Sequence, residues 1–284
     1  MAKDDEVMTV EAMEVQPVSV TEAQSRAEID IQISTAHRFP RNAERAAQNV
    51  IAVVSNNKEL AQSCVYSLPR GGKNITGPSV HLARYLASEY GNLRVDARIV
   101  EIGETSVTAQ SIAHDLEKNY AIRTEVKRRI TDRNGQRYQD DMIIVTCNAA
   151  LAIASRNAIL QVIPVTVTER VYKAAQKAIV GDLSTEQKLL ARRKEVLDMY
   201  QNSLGVTEEE VLKVLEVETP NLIREQQILQ LVGLAQAIKD GDTTVTEAFG
   251  RNVEGKIAKE TKDKVKAAID KANEKRNSGK LNMG

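Results

Sequence analysis

The sequence is poor in cysteine and aromatic residues, and it contains no long apolar run. Its 284 residues include two cysteines, no tryptophan and 3% aromatic residues. Cys64 and Cys147 form no CxxC motif, which argues against a disulfide-built, secreted fold. No segment has the ~18–20 consecutive apolar residues of a membrane helix, and the acidic segment Met1–Glu14 does not resemble a signal peptide. These absences predict a reduced, cytoplasmic protein without membrane contact, whose core consists of Ala, Val, Ile and Leu.

Charge is balanced overall but distributed unevenly along the chain. There are 39 basic and 39 acidic residues, so the formal net charge is zero. The net charge is −6 over residues 1–30, +7 over residues 31–180, −6 over residues 181–250 and +5 over residues 251–284. A basic central block between acidic flanks predicts a polyanionic partner for the centre of the chain. Chance variation in surface charge is the alternative.

Composition divides the chain into four predicted regions. Residues 1–34 are acidic, with few large apolar residues and no sustained period, which predicts disorder. Residues 35–180 are expected to form an α+β core, and residues 181–250 a small helical module that includes a capping box starting at Thr207. Residues 251–284 are expected to form a basic tail or a marginal helix.

The first part of the core is expected to contain two helices joined by a loop. Thr35–Arg41 predicts a turn, and Asn42–Ser63 predicts one helix with its first residue as the N-cap. Residues 67–78 contain two Pro and three Gly, which predicts a loop. Pro78 is then expected in the first turn of the second helix, which ends at Gly91.

Three segments alternate apolar and polar residues and are predicted to be strands. They are Leu93–Glu101, Thr105–Asp115 and Tyr120–Ile130. Such alternation with short breaks is typical of an antiparallel sheet that has one solvent-exposed face. The predicted fold class is therefore α+β, with an antiparallel β-β-β-α unit, flanking helices and a small helical C-terminal module.

The helix of this unit is predicted over Met142–Val162. Asp140 or Asp141 provides its N-cap, and Pro164 ends it. Its many small residues would permit close packing on the sheet. The adjacent acids could instead ligate Mg²⁺, although as neighbours in sequence they fit a cap better.

The third predicted strand carries the sharpest candidate for a binding site. Its cations on one face lie two or four positions apart, and a rise of ~3.3 Å per residue gives a two-residue spacing of ~6.5–7 Å. This spacing is close to that of phosphates along an extended single strand, so the row could follow a nucleic-acid backbone. A solvated sheet face, partly neutralised by Glu125, is the alternative. Arg123, Lys127 and Arg129 share the face, Arg128 points the other way, and Arg133 and Arg137 follow in the loop.

The glycine-rich segment Gly71–Lys73 suggests a phosphate loop but does not match its pattern. The GxxxxGK[ST] motif would need Gly at position 67 and Ser or Thr at position 74, where this chain has Ser67 and Asn74. No ATP site is expected. Arg70 and Lys73 could still contact a phosphate backbone, and a flexible connector is the alternative.

Arg156 and Asn157 form a further candidate near the end of the Ala-rich helix. A charged side chain among Ala and Ile needs access to solvent, a partner or a ligand. An ion pair between Arg156 and an acid such as Asp115 is the alternative.

The sequence contains no recognisable catalytic motif. His37, His81 and His114 are scattered, without carboxylates or cysteines at metal-ligand spacing. No GxSxG or similar nucleophile motif occurs. We therefore expect no catalytic residue, no metal, no cofactor and no enzymatic activity.

Residues 65–165 resemble the core of single-strand annealing proteins, namely the RecT, Red-beta and Erf types of phages and the eukaryotic annealing recombinase of the Rad group. The segment MIIVTCNAALAIASRNAILQVIP (142–164) is similar to the long core helix of the RecT type. GPSVHLAR (77–84), followed by Tyr90-Gly-Asn92, resembles the helix before the sheet in the eukaryotic branch. The longer segment GPSVHLARYLASEYGNLRV also resembles an uncharacterised phage protein group.

The resemblance implies ATP-independent binding and annealing of single-stranded DNA along a basic groove, in rings or helical filaments. Arg123, Lys127 and Arg129 match the basic strand, Arg156 and Asn157 match the polar end of the core helix, and Arg70 and Lys73 match a loop position. A single Arg stands in the core helix where relatives often have several bases. By analogy of placement, residues 206–250 would contact an exonuclease or a host single-strand-binding protein.

Two other classes of function remain open from the sequence. The first is a phage structural or adaptor protein that uses the basic strand and the helices for subunit contacts. The second is a nucleic-acid enzyme, which the lack of an acidic metal cluster disfavours.

Overall fold

The structure, a computed structural model, describes residues 19–70, 73–132 and 134–251. The helices are α1 (Val20–Arg38), α2 (Ala43–Asn56), α3 (Lys58–Ser63), α4 (Val80–Tyr90), α5 (Asp140–Val162), α6 (Val165–Val180), α7 (Glu186–Leu204), α8 (Glu208–Leu215), α9 (Glu225–Lys239) and α10 (Val245–Ala248). The strands are β1 (Val65–Arg70), β2 (Lys73–Pro78), β3 (Leu93–Ile102), β4 (Ser106–Asp115) and β5 (Tyr120–Arg129). Arg133, the first 18 residues of the predicted disordered segment and residues 252–284 of the predicted tail lie outside the described residues.

Strands β3, β4 and β5 form one antiparallel sheet in that order, and β1 and β2 form a separate antiparallel pair. In the larger sheet, Arg123 of β5 lies opposite Ile112, and Lys127 lies opposite Thr108. α5 packs against all three strands. The predicted β-β-β-α unit and the α+β fold class are confirmed.

Small side chains let α5 approach the sheet closely. Ala150 and Ala154 are fully buried in one cluster with Val107 and Ala109 of β4. The Thr124 hydroxyl donates a hydrogen bond to the Ala154 carbonyl oxygen at 2.9 Å, which satisfies a polar group on the covered face. Because α5 covers one face only, the strands alternate between apolar and polar residues.

The start of α5 differs from the prediction. Its N-cap is Gln139, so Asp140 and Asp141 lie in the first turn, where negative charge is favourable to the helix dipole. Within the described residues, α5 is the one helix long and apolar enough to span a bilayer, with a mean hydropathy of 1.6. Its packing on the sheet accounts for this composition, because a core helix meets the same criterion.

The predicted disorder is wrong from Val20 onward, and the turn predicted at Thr35–Arg41 is present only after Arg38. Residues from Val20 to Arg38 form α1, and the chain leaves the helix at Phe39. Contacts near the C-terminal end hold it: Ala36 is buried, and His37 Nε2 lies 3.2 Å from the Glu117 carbonyl oxygen. α1 buries few of its residues, so its sequence has no apolar stripe from which an amphipathic helix could be predicted.

The single helix predicted after Asn42 is divided into α2 and α3. Asn42 does cap α2 and accepts a hydrogen bond from the Arg45 N–H, as predicted. Asn57 interrupts the helix with an extended backbone, and its side chain caps α3 by accepting from the Leu60 N–H. A second Asn cap thus turns the chain within one predicted element.

The loop predicted at residues 67–78 is a β-hairpin. β1 packs against α9, far along the chain, and a Cβ added at Gly233 of α9 would lie 2.8 Å from the Ser67 backbone nitrogen. Gly233 therefore permits close contact between strand and helix. Pro78 ends β2, and Ser79 caps α4, so Pro78 is not in the first turn of that helix as predicted. The predicted end of α4 at Gly91 is confirmed.

A single hydrophobic core cluster extends from Ala46 of α2 to Phe249 after α10. The predicted boundary between residues 180 and 181 therefore does not coincide with a break in packing. The buried Tyr200 hydroxyl of α7 donates a hydrogen bond to the Leu231 carbonyl oxygen of α9 at 2.6 Å. The predicted capping box at Thr207 is present at the start of α8. The helical C-terminal part thus packs as one body with the helices and hairpin that precede it.

Candidate nucleic-acid interface

A row of cations lies on the face of the sheet opposite α5. Arg123, Lys127 and Arg129 occupy alternate, exposed positions of β5, with Glu125 between the first two. None of the three cations forms a hydrogen bond or ion pair with any residue that the structure describes. The structure therefore brings together the three residues that the sequence placed on one face and leaves their charges accessible.

The neighbouring polar side chains on this face interact mainly with each other. The Gln110 amide donates to Glu125 at 2.9 Å and accepts from Arg98 at 3.3 Å. Arg94 is paired with Asp96 at 2.7 Å. Glu125 is thus held by a neutral amide and forms no direct ion pair with the cations beside it.

An open depression of about 520 Å³ adjoins the end of β5. Lys127 and Arg129 line it together with the hydroxyl-bearing residues Thr105, Ser106 and Thr131. Cations and hydroxyl donors are the groups that contact nucleic-acid phosphates. The sequence analysis missed the hydroxyl residues, although Ser106 lies directly opposite Arg129 in the register.

Asp132 also lines this depression, but its carboxylate accepts hydrogen bonds from the backbone of the loop after β5. Its Oδ1 accepts hydrogen bonds from the backbone N–H groups of Asn134 at 2.9 Å and Gln136 at 2.8 Å. This arrangement closes the loop after β5 and partly compensates the negative charge near the cations.

Arg137 has a structural role that the sequence did not indicate. Its Nη1 donates to the carbonyl oxygens of Gly103 at 2.6 Å and Glu104 at 2.8 Å. It therefore connects the β3–β4 turn to the loop after β5. Arg133, predicted beside it, lies outside the described residues.

Arg128 lies on the covered side of the sheet, away from the basic row. Its Nη2 donates to the Asp242 carbonyl oxygen at 3.0 Å, and its Nη1 lies 3.8 Å from the Asp242 carboxylate. Arg156 also lies on this side, in α5, with its guanidinium 4.3 Å from the ring centroid of Tyr66. The predicted site is therefore divided between two surfaces.

The contacts of Arg156 exclude the ion pair suggested by the sequence. Its guanidinium donates to the Asn157 side-chain oxygen at 3.0 and 3.2 Å, whereas Asp115 is paired with Arg41. Stacking on Tyr66 supplies the partner that a half-buried cation requires. Tyr66 was missed because it lies in a segment predicted to border a loop.

Arg70 and Lys73 are register partners at the end of the β1–β2 hairpin. Arg70 is four residues from Tyr66, so the hairpin end lies ~13 Å along the strand from the stacked Arg156. The hairpin thus includes the Tyr66 that contacts Arg156, and it ends at Arg70 and Lys73.

The described residues contain no group of three or more His, Cys, Asp or Glu that could hold a metal ion. His81 Nε2 lies 2.9 Å from Asp240 and takes part in an interhelical contact. Comparison with protein-family models, curated proteins and solved structures finds no match for this chain. The resemblance to single-strand annealing proteins therefore stays a prediction.

Proposed function

We propose that this protein binds single-stranded DNA and anneals complementary strands without ATP, in homologous recombination of the phage type. The observation that carries the proposal is the row of Arg123, Lys127 and Arg129, exposed on one sheet face and without partners among the described residues. Three cations close together on one face repel each other, and a polyanion removes that repulsion. We therefore assign this row to the sugar–phosphate backbone.

Backbone contact suits annealing because it leaves the base edges free. The positions of β5 that share the face of the cations are occupied by Ala121, Arg123, Glu125, Lys127 and Arg129, so the row offers no aromatic ring for stacking. Neutralised phosphates reduce the repulsion between two complementary strands. The mechanism needs no chemical step, no cofactor and no catalytic residue.

Homo-oligomerisation is part of the proposal. A strand of ten residues spans ~30 Å, which covers only a few nucleotides. Rings or filaments of neighbouring copies would extend the row along a longer strand. We also propose a cytoplasmic setting, which the free thiols of the buried Cys64 and half-buried Cys147 support.

A simple mixing experiment tests the annealing activity. Complementary oligonucleotides are combined with the protein in the absence of nucleotide and divalent metal, and duplex formation is followed by fluorescence quenching. We expect the protein to accelerate pairing over the bare strands. Equal rates with and without protein would contradict the proposal.

Replacing Arg123, Lys127 and Arg129 together with Ala is expected to abolish annealing and to weaken single-strand binding by at least an order of magnitude. The matched control replaces Lys173, Lys177 and Lys194 with Ala, three exposed cations of α6 and α7. Both variants lose the same charge, and circular dichroism reports whether each is folded. Equal binding by the two variants would locate the DNA elsewhere.

A structural or adaptor protein remains the second candidate, and exposed apolar residues favour it. Val100 and Ile102 on the edge strand β3 are 42% and 54% exposed, and Ile144 of α5 is 59% exposed. An edge strand with apolar side chains can pair with another chain. Self-association in the absence of DNA, together with no binding of single strands, would favour this second function.

A further inference from the structure

The loop between α9 and α10 brings an acidic side chain to the cations on the covered side of the sheet. Gly241 has a φ of +76°, which reverses the chain after Asp240. The Asp242 N–H donates to the Ala237 carbonyl oxygen at 2.9 Å. Asp240 accepts from Gln236 at 2.8 Å and lies 2.9 Å from His81, which holds the loop against α4. This turn directs residue 242 towards β5 and α5.

Asp242 is the carboxylate nearest to Arg128 in the described structure. Its side chain is 10% exposed, 3.8 Å from Arg128, and its own carbonyl oxygen accepts a hydrogen bond from the same guanidinium. Arg156 lies close enough to influence Asp242 electrostatically, while its direct contacts are the Tyr66 ring and the Asn157 amide oxygen. The Asp242 carboxylate thus lies beside Arg128 of β5 and within electrostatic range of Arg156 of α5.

We propose that the Asp240–Thr244 loop is an autoinhibitory element, in which the Asp242 carboxylate occupies the place of a DNA phosphate beside Arg128, on the side of the sheet that also carries Arg156. This inference rests on the proposed function, because it assumes that the protein binds single-stranded DNA. A carboxylate and a phosphate diester each present anionic oxygens to a guanidinium, so they compete for the same donors. Single-stranded DNA would have to displace the loop before it contacts Arg128, Arg156 and the ring of Tyr66.

The environment of the Asp242 carboxylate favours a loop that can open and be replaced by a phosphate over a loop that stays closed. Burial raises the pKa of the Asp242 carboxyl, and the charges of Arg128 and Arg156 only partly offset that effect. A buried carboxylate that is imperfectly compensated gains hydration when it moves into water. The loop is thus closed in the free protein, yet it has a physical reason to open when a phosphate replaces it.

The test compares the binding of a fluorescein-labelled oligothymidylate to three forms of the full chain by fluorescence anisotropy. Asp242→Asn removes the competing charge and keeps the side chain's size, so we expect at least about fivefold tighter binding, within the usual range of coupling between sites. Asp198→Asn is the matched control, because it removes the same charge from an exposed position of α7. Equal tightening in both variants would reduce the effect to net charge and would overturn the inference.

Hydrogen exchange of the unmutated protein gives a second measurement that does not depend on the variant's folding. Saturation with oligothymidylate is expected to accelerate amide exchange within residues 240–248, because the hydrogen bond from the Asp242 N–H to Ala237 breaks when the loop opens. Unchanged or slower exchange there would overturn the autoinhibitory role.

The two proposals fail in different ways. If the unmutated protein and both Asn variants all leave the oligothymidylate unbound, the proposed function is wrong, and the loop has no DNA to exclude. If all three bind it with equal affinity, the proposed function survives and the autoinhibitory role of Asp242 is wrong.

Discussion

At the scale of single residues, Arg41 lies outside the basic row and has several charged and aromatic partners. The Arg41 guanidinium is bonded to Asp115 and Glu117 and lies 4.4 Å from the ring centroid of Tyr90. Asp115 and Glu117 end β4 and begin its turn, whereas Arg41 stands between α1 and α2. One cation therefore connects the N-terminal helices to the sheet.

Replacing Arg41 with Ala is expected to lower the free energy of unfolding by about 3–5 kcal/mol, because two carboxylates lose their partner in a largely buried site. The midpoint of urea denaturation measures the change. Arg45→Ala is the matched control, since Arg45 is exposed in the first turn of α2, and it is expected to change stability by less than about 0.5 kcal/mol. Similar midpoints for both variants would show that Arg41 contributes no more than a surface arginine.

The Arg41→Ala variant should also differ from the unmutated protein in how its stability depends on pH. Burial alone would raise the pKa of Glu117, but hydrogen bonds from Asn92 and Arg41 outweigh it and lower the pKa below the ordinary value of 4.5. A carboxyl whose pKa is lower in the folded state stabilises the protein at pH values above its ordinary pKa. This stabilisation is lost as the pH falls towards the folded-state pKa. We therefore expect unmutated protein to lose stability below about pH 4.5, and Arg41→Ala to lose less over the same range.

At the scale of elements, the sequence predicted those strands and helices whose residue pattern depends on packing against one neighbouring element. The alternation in β3, β4 and β5 was readable because α5 covers a single face. The small residues of α5 predicted close packing for the same reason. The exposed face of β5 followed directly, so three residues of the candidate site were placed correctly by periodicity.

Elements that depend on distant contacts were not predictable in this way. In the hairpin of β1 and β2, the Pro and Gly residues indicated a loop, whereas the strand is held by α9, more than 150 residues further along the chain. Asp242 and Tyr66 belong to the same class, because their relation to Arg128 and Arg156 exists only once α9 is in place. The position of Arg128 on the other face, by contrast, was predictable from the alternation along β5.

Gly233→Ala tests the contact between the hairpin and α9. Helix propensity alone would make this change stabilising by about 1 kcal/mol. Here the added Cβ would meet the Ser67 nitrogen and the Tyr66 carbonyl carbon at 2.8 Å, so we expect destabilisation by about 1–3 kcal/mol. The two effects would change the free energy of unfolding in opposite directions, so urea denaturation distinguishes them.

The control for this change is Gln226→Ala, at an exposed position of α9, which should be nearly neutral or slightly stabilising. A stabilised Gly233→Ala variant would contradict the close packing.

At the scale of the whole molecule, the zero net charge restricts how a polyanion can be attracted. With 39 bases and 39 acids, there is no overall attraction towards DNA, and at physiological ionic strength charges further apart than ~8 Å are largely screened. Binding must then come from local groups of cations. The basic row on the sheet and the guanidinium pair beside Asp242 are two such groups, and they lie on opposite sides of β5.

The contribution of the basic row should therefore appear as a change in the salt dependence of DNA binding. Each phosphate contact on a single strand contributes a slope of about −0.7 to log Kobs against log salt, so losing Arg123, Lys127 and Arg129 should make the slope shallower by about 2. The variant lacking Lys173, Lys177 and Lys194 has the same net charge, and its slope should match that of the unmutated protein. Anisotropy titrations at several salt concentrations give the slopes. If both variants became shallower equally, attraction would depend on total charge, and the row would have no special role.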